Sequence, residues 1–135
     1  MARNRNKYRI DVQFVAHGRD LLESEGFRLM TLAARKVLVR LEIEHCLHGG
    51  NENGNLPCTY DDFVSFGVRR KSIRAAIEEL EKFGLIEVTH QGRGGNGGWR
   101  DCSRYRVTYL PVRNTNPGHD WRRFPSRPRL PLARQ

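Results

Sequence analysis

At 135 residues the chain has room for one domain with tails and not for two. A net charge of +9 points to a polyanionic partner, and three cysteines at unpatterned spacing (Cys46, Cys58, Cys102) exclude a disulfide framework and read as free thiols of a reducing, cytoplasmic compartment. No run of about 18 apolar residues offers a membrane span, and the basic start "MARNRNKYRI" lacks the apolar stretch that would make it a signal peptide.

The charge is unevenly placed. Residues 1–10 carry +4 through Arg3, Arg5, Lys7 and Arg9, and residues 111–135 carry +5 through six arginines against Asp120. These two ends account for the whole excess, so the middle is neutral overall. Within it, residues 11–68 hold five bases and nine acids, whereas residues 69–110 hold nine bases and five acids.

In chain order, a basic arm (1–18) leads into "RDLLESEGFRLM", where Leu21, Leu22 and Phe27 predict a short amphipathic helix ending near Gly26. Thr31 is a candidate N-cap for a long helix with Ala34, Val37, Leu38, Leu41 and His45 on one face, stopped by Gly49 and Gly50. A turn-rich "NENGNLPC" follows, with a very short strand expected over 56–58. Thr59 and Asp62 then have the spacing of a capping box opening a second helix that ends at Gly67.

Residues 69–83 form the next predicted helix, with Ile73, Ala76, Ile77, Leu80 and Phe83 as its apolar stripe and Gly84 as its stop. Alternation then replaces the helical period around Ile86 and Val88 and again around Tyr105, Val107 and Tyr109, predicting a hairpin across the glycine-rich "QGRGGNGGWRDC". Residues 111–135 hold five of the six prolines without periodicity, the composition of a segment left disordered until it meets a partner.

The charges of the 69–83 helix oppose its dipole. Arg69, Arg70, Lys71 and Arg74 crowd the positive N-terminal end while Glu78, Glu79 and Glu81 follow, although acids belong at the start and bases at the end, each worth about 0.3–1 kcal/mol. Two helices joined by a short glycine turn form a helix-turn-helix, whose second helix can enter a DNA major groove by its N-terminal residues. Arginines placed there read guanine, which gives the inverted pattern a use.

Residues 67–86 resemble the motif "GVSRxTVRxALxxLExxGLI" of the winged helix-turn-helix family of DNA-binding proteins. Gly67 and Val68 match its turn; Arg70, Ser72, Ile73 and Arg74 match its groove-facing start; Ala76, Ile77, Leu80, Glu81, Gly84, Leu85 and Ile86 match its packing face and exit. Arg69 replaces the usual small polar residue, which adds charge and removes the side-chain cap. The chain also resembles small regulators and replication-associated proteins of plasmids, phages and mobile elements, through "LLESEGFRLMTLAARKVL" and "SRYRVTYLP".

The resemblance implies a mainly α fold with a small β-hairpin (α+β), three core helices plus a two- to three-stranded wing, spanning 19–110. It implies sequence-specific binding of double-stranded DNA as a transcriptional regulator, with Arg69, Arg70, Lys71, Ser72 and Arg74 in the major groove. Arg93, Asn96, Arg100 and Arg104 of the wing would hold the backbone, with Arg3, Arg5, Arg122 and Arg123 of the tails as further phosphate contacts. A homodimer is an open possibility, no small-molecule effector is expected because no sensing domain follows, and the DNA-bound protein would lie at the nucleoid.

Other readings stay open: a protein-interaction module, an RNA-associated basic protein, or a replication-associated DNA-binding protein. Residues 92–97 match G-x-G-x-x-G by letter, but a strand rather than a helix follows, so no nucleotide cofactor is expected. His45, Cys46, His48 and Cys58 lack structural-metal spacings, and no nucleophile pair suggests an enzyme.

Overall fold

The computed structural model describes residues 9–93 and 101–124. It is an α+β fold. Helices α1 (Arg19–Glu23), α2 (Glu25–Leu29) and α3 (Leu32–Leu47) precede strand β1 (Leu56–Pro57); helices α4 (Tyr60–Ser65) and α5 (Arg70–Lys82) lead into β2 (Ile86–His90) and β3 (Arg104–Val107). The three strands form one antiparallel sheet in the order β1-β3-β2, with Leu56 opposite Tyr105 and Ile86 opposite Val107.

The predicted first helix is two single turns broken at Ser24, whose extended backbone ends α1 and whose hydroxyl accepts from Phe27 N to start α2. Gly26 does not end a helix. It lies inside α2 because a Cβ there would stand 2.9 Å from Cβ of Phe83, so only glycine lets α2 approach the end of α5.

The other caps match the residues expected. Thr31 Oγ1 accepts from Ala34 N, and Thr59 with Asp62 closes a reciprocal capping box on α4. Gly67, at φ +102°, makes the turn between α4 and α5 in a conformation that a side chain would strain.

Helices α3 and α5 pack across a core of Val37, Leu38, Leu41, Ile73, Leu80 and Leu85, which the inner residues Tyr105 and Val107 of the sheet close. Phe63 of α4 meets Tyr105 edge-on, with ring centroids 6.2 Å apart. Asn53, expected only as part of a turn, is buried. Its side chain accepts from Val107 N and donates to the carbonyls of Val107 and Leu110, so that it serves the end of β3 and the chain after it as a further strand would.

The expectation of a disordered tail over 111–135 requires correction as far as Phe124. A 3₁₀ turn, Asp120–Arg123, buries Trp121, and Phe124 meets Phe83 edge-on at 5.0 Å. Gly84, at φ +74°, admits it: a Cβ would stand 2.8 Å from the Asp120 carbonyl oxygen and 2.9 Å from Trp121 Cα. His119 N donates to the Thr108 carbonyl, and Arg106 reaches both Glu87 and Asp120. Composition missed this strap because two isolated aromatics anchor it and they make no periodic pattern. Residues 125–135 lie outside the described residues.

Candidate nucleic-acid interface

Helix α5 begins without a side-chain cap. Arg69 at the N-cap position has no oxygen to offer, and the first turn closes instead through Ser72 N donating to the Arg69 carbonyl at 2.8 Å. The buried stripe Ile73, Ala76, Ile77 and Leu80 turns the opposite side of the helix outward, leaving Arg69, Arg70, Lys71, Arg74 and Glu78 exposed, while Ser72 is half-buried.

These cations are not equivalent. Arg70 Nη2 donates to Asp61 Oδ1 in the first turn of α4, and Arg74 Nε approaches Glu78 Oε2 at 3.4 Å. Both pairs are exposed, the side chains retaining 59% and 82% of their surface for Arg70 and Asp61, and 83% and 64% for Arg74 and Glu78. Pairs so open to solvent are worth about 0–1 kcal/mol, so a competing anion displaces them at little cost. Among the described residues Arg69 and Lys71 form no ion pair, and Lys36 of α3 joins them by donating from Nζ to the Gly67 carbonyl at 3.3 Å.

The acids behind have their own partners. Glu79 binds Thr31 by both oxygens, from the backbone N at 2.7 Å and from Oγ1 at 2.9 Å, and so places a carboxylate at the positive end of α3. Part of the inverted charge order of α5 is therefore structural: its rear acid serves the dipole of a neighbouring helix. At the cationic front Arg70 reaches α4 through Asp61, and among the described residues no cation there caps the end of another helix.

At the hairpin, Asp101 draws the two sides of the neck together. It accepts from Arg93 through backbone N at 3.0 Å and Nε at 2.7 Å and meets His90 Nε2 at 3.0 Å. The Arg93 guanidinium first, then His90, hold the Asp101 carboxyl well below the usual carboxylate range. Arg93 stays exposed. Arg104 does not reach outward as a wing cation should; it is half-buried and directed at the Asn55 carbonyl at 3.4 Å. Asn96 and Arg100, like Arg3 and Arg5 of the N-terminal arm, lie outside the described residues.

Arg122 and Arg123 belong to the strap and not to a free arm. Arg122 lies over the Trp121 ring at 5.2 Å and pairs with Asp20 of α1 at 3.0 Å, while Arg123 is exposed. The strap lies over Gly84, just past the C-terminal end of α5, so these two arginines are remote from Arg69 and Lys71 at its start.

Between α5 and the hairpin neck opens a cleft of about 830 Å³, lined by Arg70, Arg74, Ile77, Glu78, Arg93 and Asp101 among others. Lys36 and Asp61, which the sequence pattern did not single out, shape this face, and Glu79, legible only as one of the rear acids, holds α3 behind it. Glu79 and Lys36 act across chain separations that no local pattern encodes, 48 residues to Thr31 and 31 to Gly67, and Asp61 reaches Arg70 from the preceding helix.

Among the described residues no three histidine, cysteine or acidic side chains converge as metal ligands. His48 binds Glu44 at 2.8 Å, and Cys58 is buried, which pushes its thiol far above the ordinary cysteine value. All three cysteines are free. No helix of the described residues is long and apolar enough to cross a membrane. Comparison with family models, curated proteins and solved structures finds no match for this chain.

Proposed function

We propose that the chain is a winged helix-turn-helix protein that binds double-stranded DNA sequence-specifically and regulates transcription. The observation that carries this reading is the exposed, uncapped, cationic front of α5, set by the Gly67 turn against α4 and flanked by an antiparallel hairpin. A helix front of that kind supplies backbone N–H groups and cations to phosphates, and its arginines to base edges.

The charge pairing divides the labour. Arg69, Lys71 and Lys36, free of carboxylates among the described residues, suit phosphate contact, which positions without reading. Arg70 and Arg74, loosely paired with carboxylates on the cleft side, suit direct readout of guanine. Arg93 at the hairpin neck adds a backbone contact.

The test is selection of bound sequences from a random duplex pool at physiological salt. The expected result is an enriched motif. Arg70→Ala or Arg74→Ala then weakens the selected duplex by about 1–3 kcal/mol while sparing scrambled duplex. Arg69→Ala and Lys71→Ala weaken both alike and reduce the salt slope by about one phosphate each. Negligible affinity for any duplex at low salt sinks the reading. It favours instead a protein partner, for which the acids interleaved in the cleft supply the supporting observation.

A further inference from the structure

The three arginines lining the cleft share one arrangement. Each is held by a carboxylate of the same chain, from three different places: Asp61 in the first turn of α4 for Arg70, Glu78 one turn along α5 for Arg74, and Asp101 before β3 for Arg93. Glu78 and Asp101 have evident local reasons, the first as an i,i+4 pair and the second as the closure of the hairpin neck. Asp61 is different. It reaches from one helix to the front of the next, and the capping of its own helix is already complete without it, because Thr59 and Asp62 make the box.

We infer that Asp61 is a specificity-determining positioning residue, which orients the Arg70 guanidinium for readout and competes with DNA phosphates for it; the inference rests on the DNA-binding reading above. A long arginine side chain that is more than half exposed samples many rotamers, and a carboxylate partner narrows them before binding. The same carboxylate discourages unspecific capture, because a phosphate that takes Arg70 must leave Asp61 beside the duplex without a partner, whereas a base edge that accepts two of the guanidinium N–H groups leaves others to Asp61. One residue thus strengthens the selected complex and weakens the rest.

Glu81 supplies the control. It lines the same cleft, is exposed, and forms no ion pair among the described residues, so removing its charge changes the local field without releasing an arginine.

The experiment measures fluorescence anisotropy titrations of the full chain against a duplex selected from the random pool and against a scrambled duplex of the same composition. Wild type, Asp61→Asn, Asp61→Glu and Glu81→Gln are compared. Asp61 is largely exposed, so these variants retain the fold. Asp61→Asn is expected to tighten binding to the scrambled duplex and to lower the selected-to-scrambled ratio by about three- to fivefold, the scale of a surface pair. Asp61→Glu restores part of that ratio, and Glu81→Gln tightens both duplexes equally and leaves it unchanged. Equal behaviour of Asp61→Asn and Glu81→Gln overturns the role of Asp61 while leaving DNA binding intact. Failure of wild type to enrich any sequence overturns the DNA-binding reading and this inference together.

Discussion

Of the carboxylates that engage partners in this molecule, those of Glu42 and of the Asp61 and Glu78 pairs differ most in depth. At the back, Glu42 of α3 is sealed in the core: His17 Nε2 stands 2.7 Å from its Oε2, the Tyr109 hydroxyl donates to the same oxygen, and the His17 ring meets Phe27 and Tyr109 edge-on at 5.5 Å each. At the front, Asp61 and Glu78 hold Arg70 and Arg74 in open solvent. Like chemistry gives opposite consequences, because desolvation makes a buried polar group expensive to leave unpaired while water compensates an exposed one. The back group ties the segment before α1, helix α3 and the chain after β3 into one body; the front pairs are available for exchange.

Trp121→Ala gives the largest expected effect, because it empties the site that fixes the strap over Gly84. The loss is about 3–5 kcal/mol in a urea titration, in the range for buried large aromatics. An effect below about 1 kcal/mol would show that residues 111–124 contribute little and would restore the view of them as a tail.

Glu42→Ala follows, at about 2–4 kcal/mol, since it leaves the buried Tyr109 hydroxyl without its acceptor. Asp61→Ala at the front is expected to cost less than about 1 kcal/mol. Equal losses for the two would break the comparison.

Glu79→Ala lies between them at about 1 kcal/mol, because its bidentate hold on Thr31 is exposed yet sits at the start of a 16-residue helix. Thermal melting of that variant beside Glu78→Ala and Glu81→Ala separates an acid that serves α3 from exposed acids of the cleft.

The smallest effect is a pH dependence. His45 is buried, its Nδ1 has no hydrogen-bond partner among the described residues, and burial lowers its proton affinity below the ordinary histidine value, with Glu42 acting in the opposite sense. The unfolded chain therefore takes up a proton near pH 6.5 that the folded chain resists. The His45 contribution to stability is constant above that pH and declines as pH falls through it toward the lower folded value. Denaturant midpoints at pH 7.5 and pH 5.5 for wild type and His45→Gln check the sign: the variant should lose less stability between the two.

Much of the scaffold was legible from local pattern. Helix α3, the capping box of α4, the α5 stripe and the strands around Val88 and Tyr105 fell where periodicity and caps put them, because each depends on residues within a few positions of one another. The interface was legible in part. The sequence pointed to a cationic front on α5, but it treated Arg69 to Arg74 as one cluster and took all the acids behind them as a single counterweight. It also placed Arg104 on a reaching wing and Arg122 and Arg123 on a free arm, whereas Arg104 faces a carbonyl near the sheet and the other two ride on the strap.

By itself the sequence determined the order and type of the elements between Thr31 and Val107 and the presence of a basic helix start after a glycine turn, since hydrophobic period, caps and turn residues are local physical constraints. Only the tertiary structure decided which arginines are already engaged, which acid caps a distant helix, and that Gly84 receives the strap. Those are contacts between parts of the chain far apart in order, and their energies depend on burial that exists only once the chain has packed.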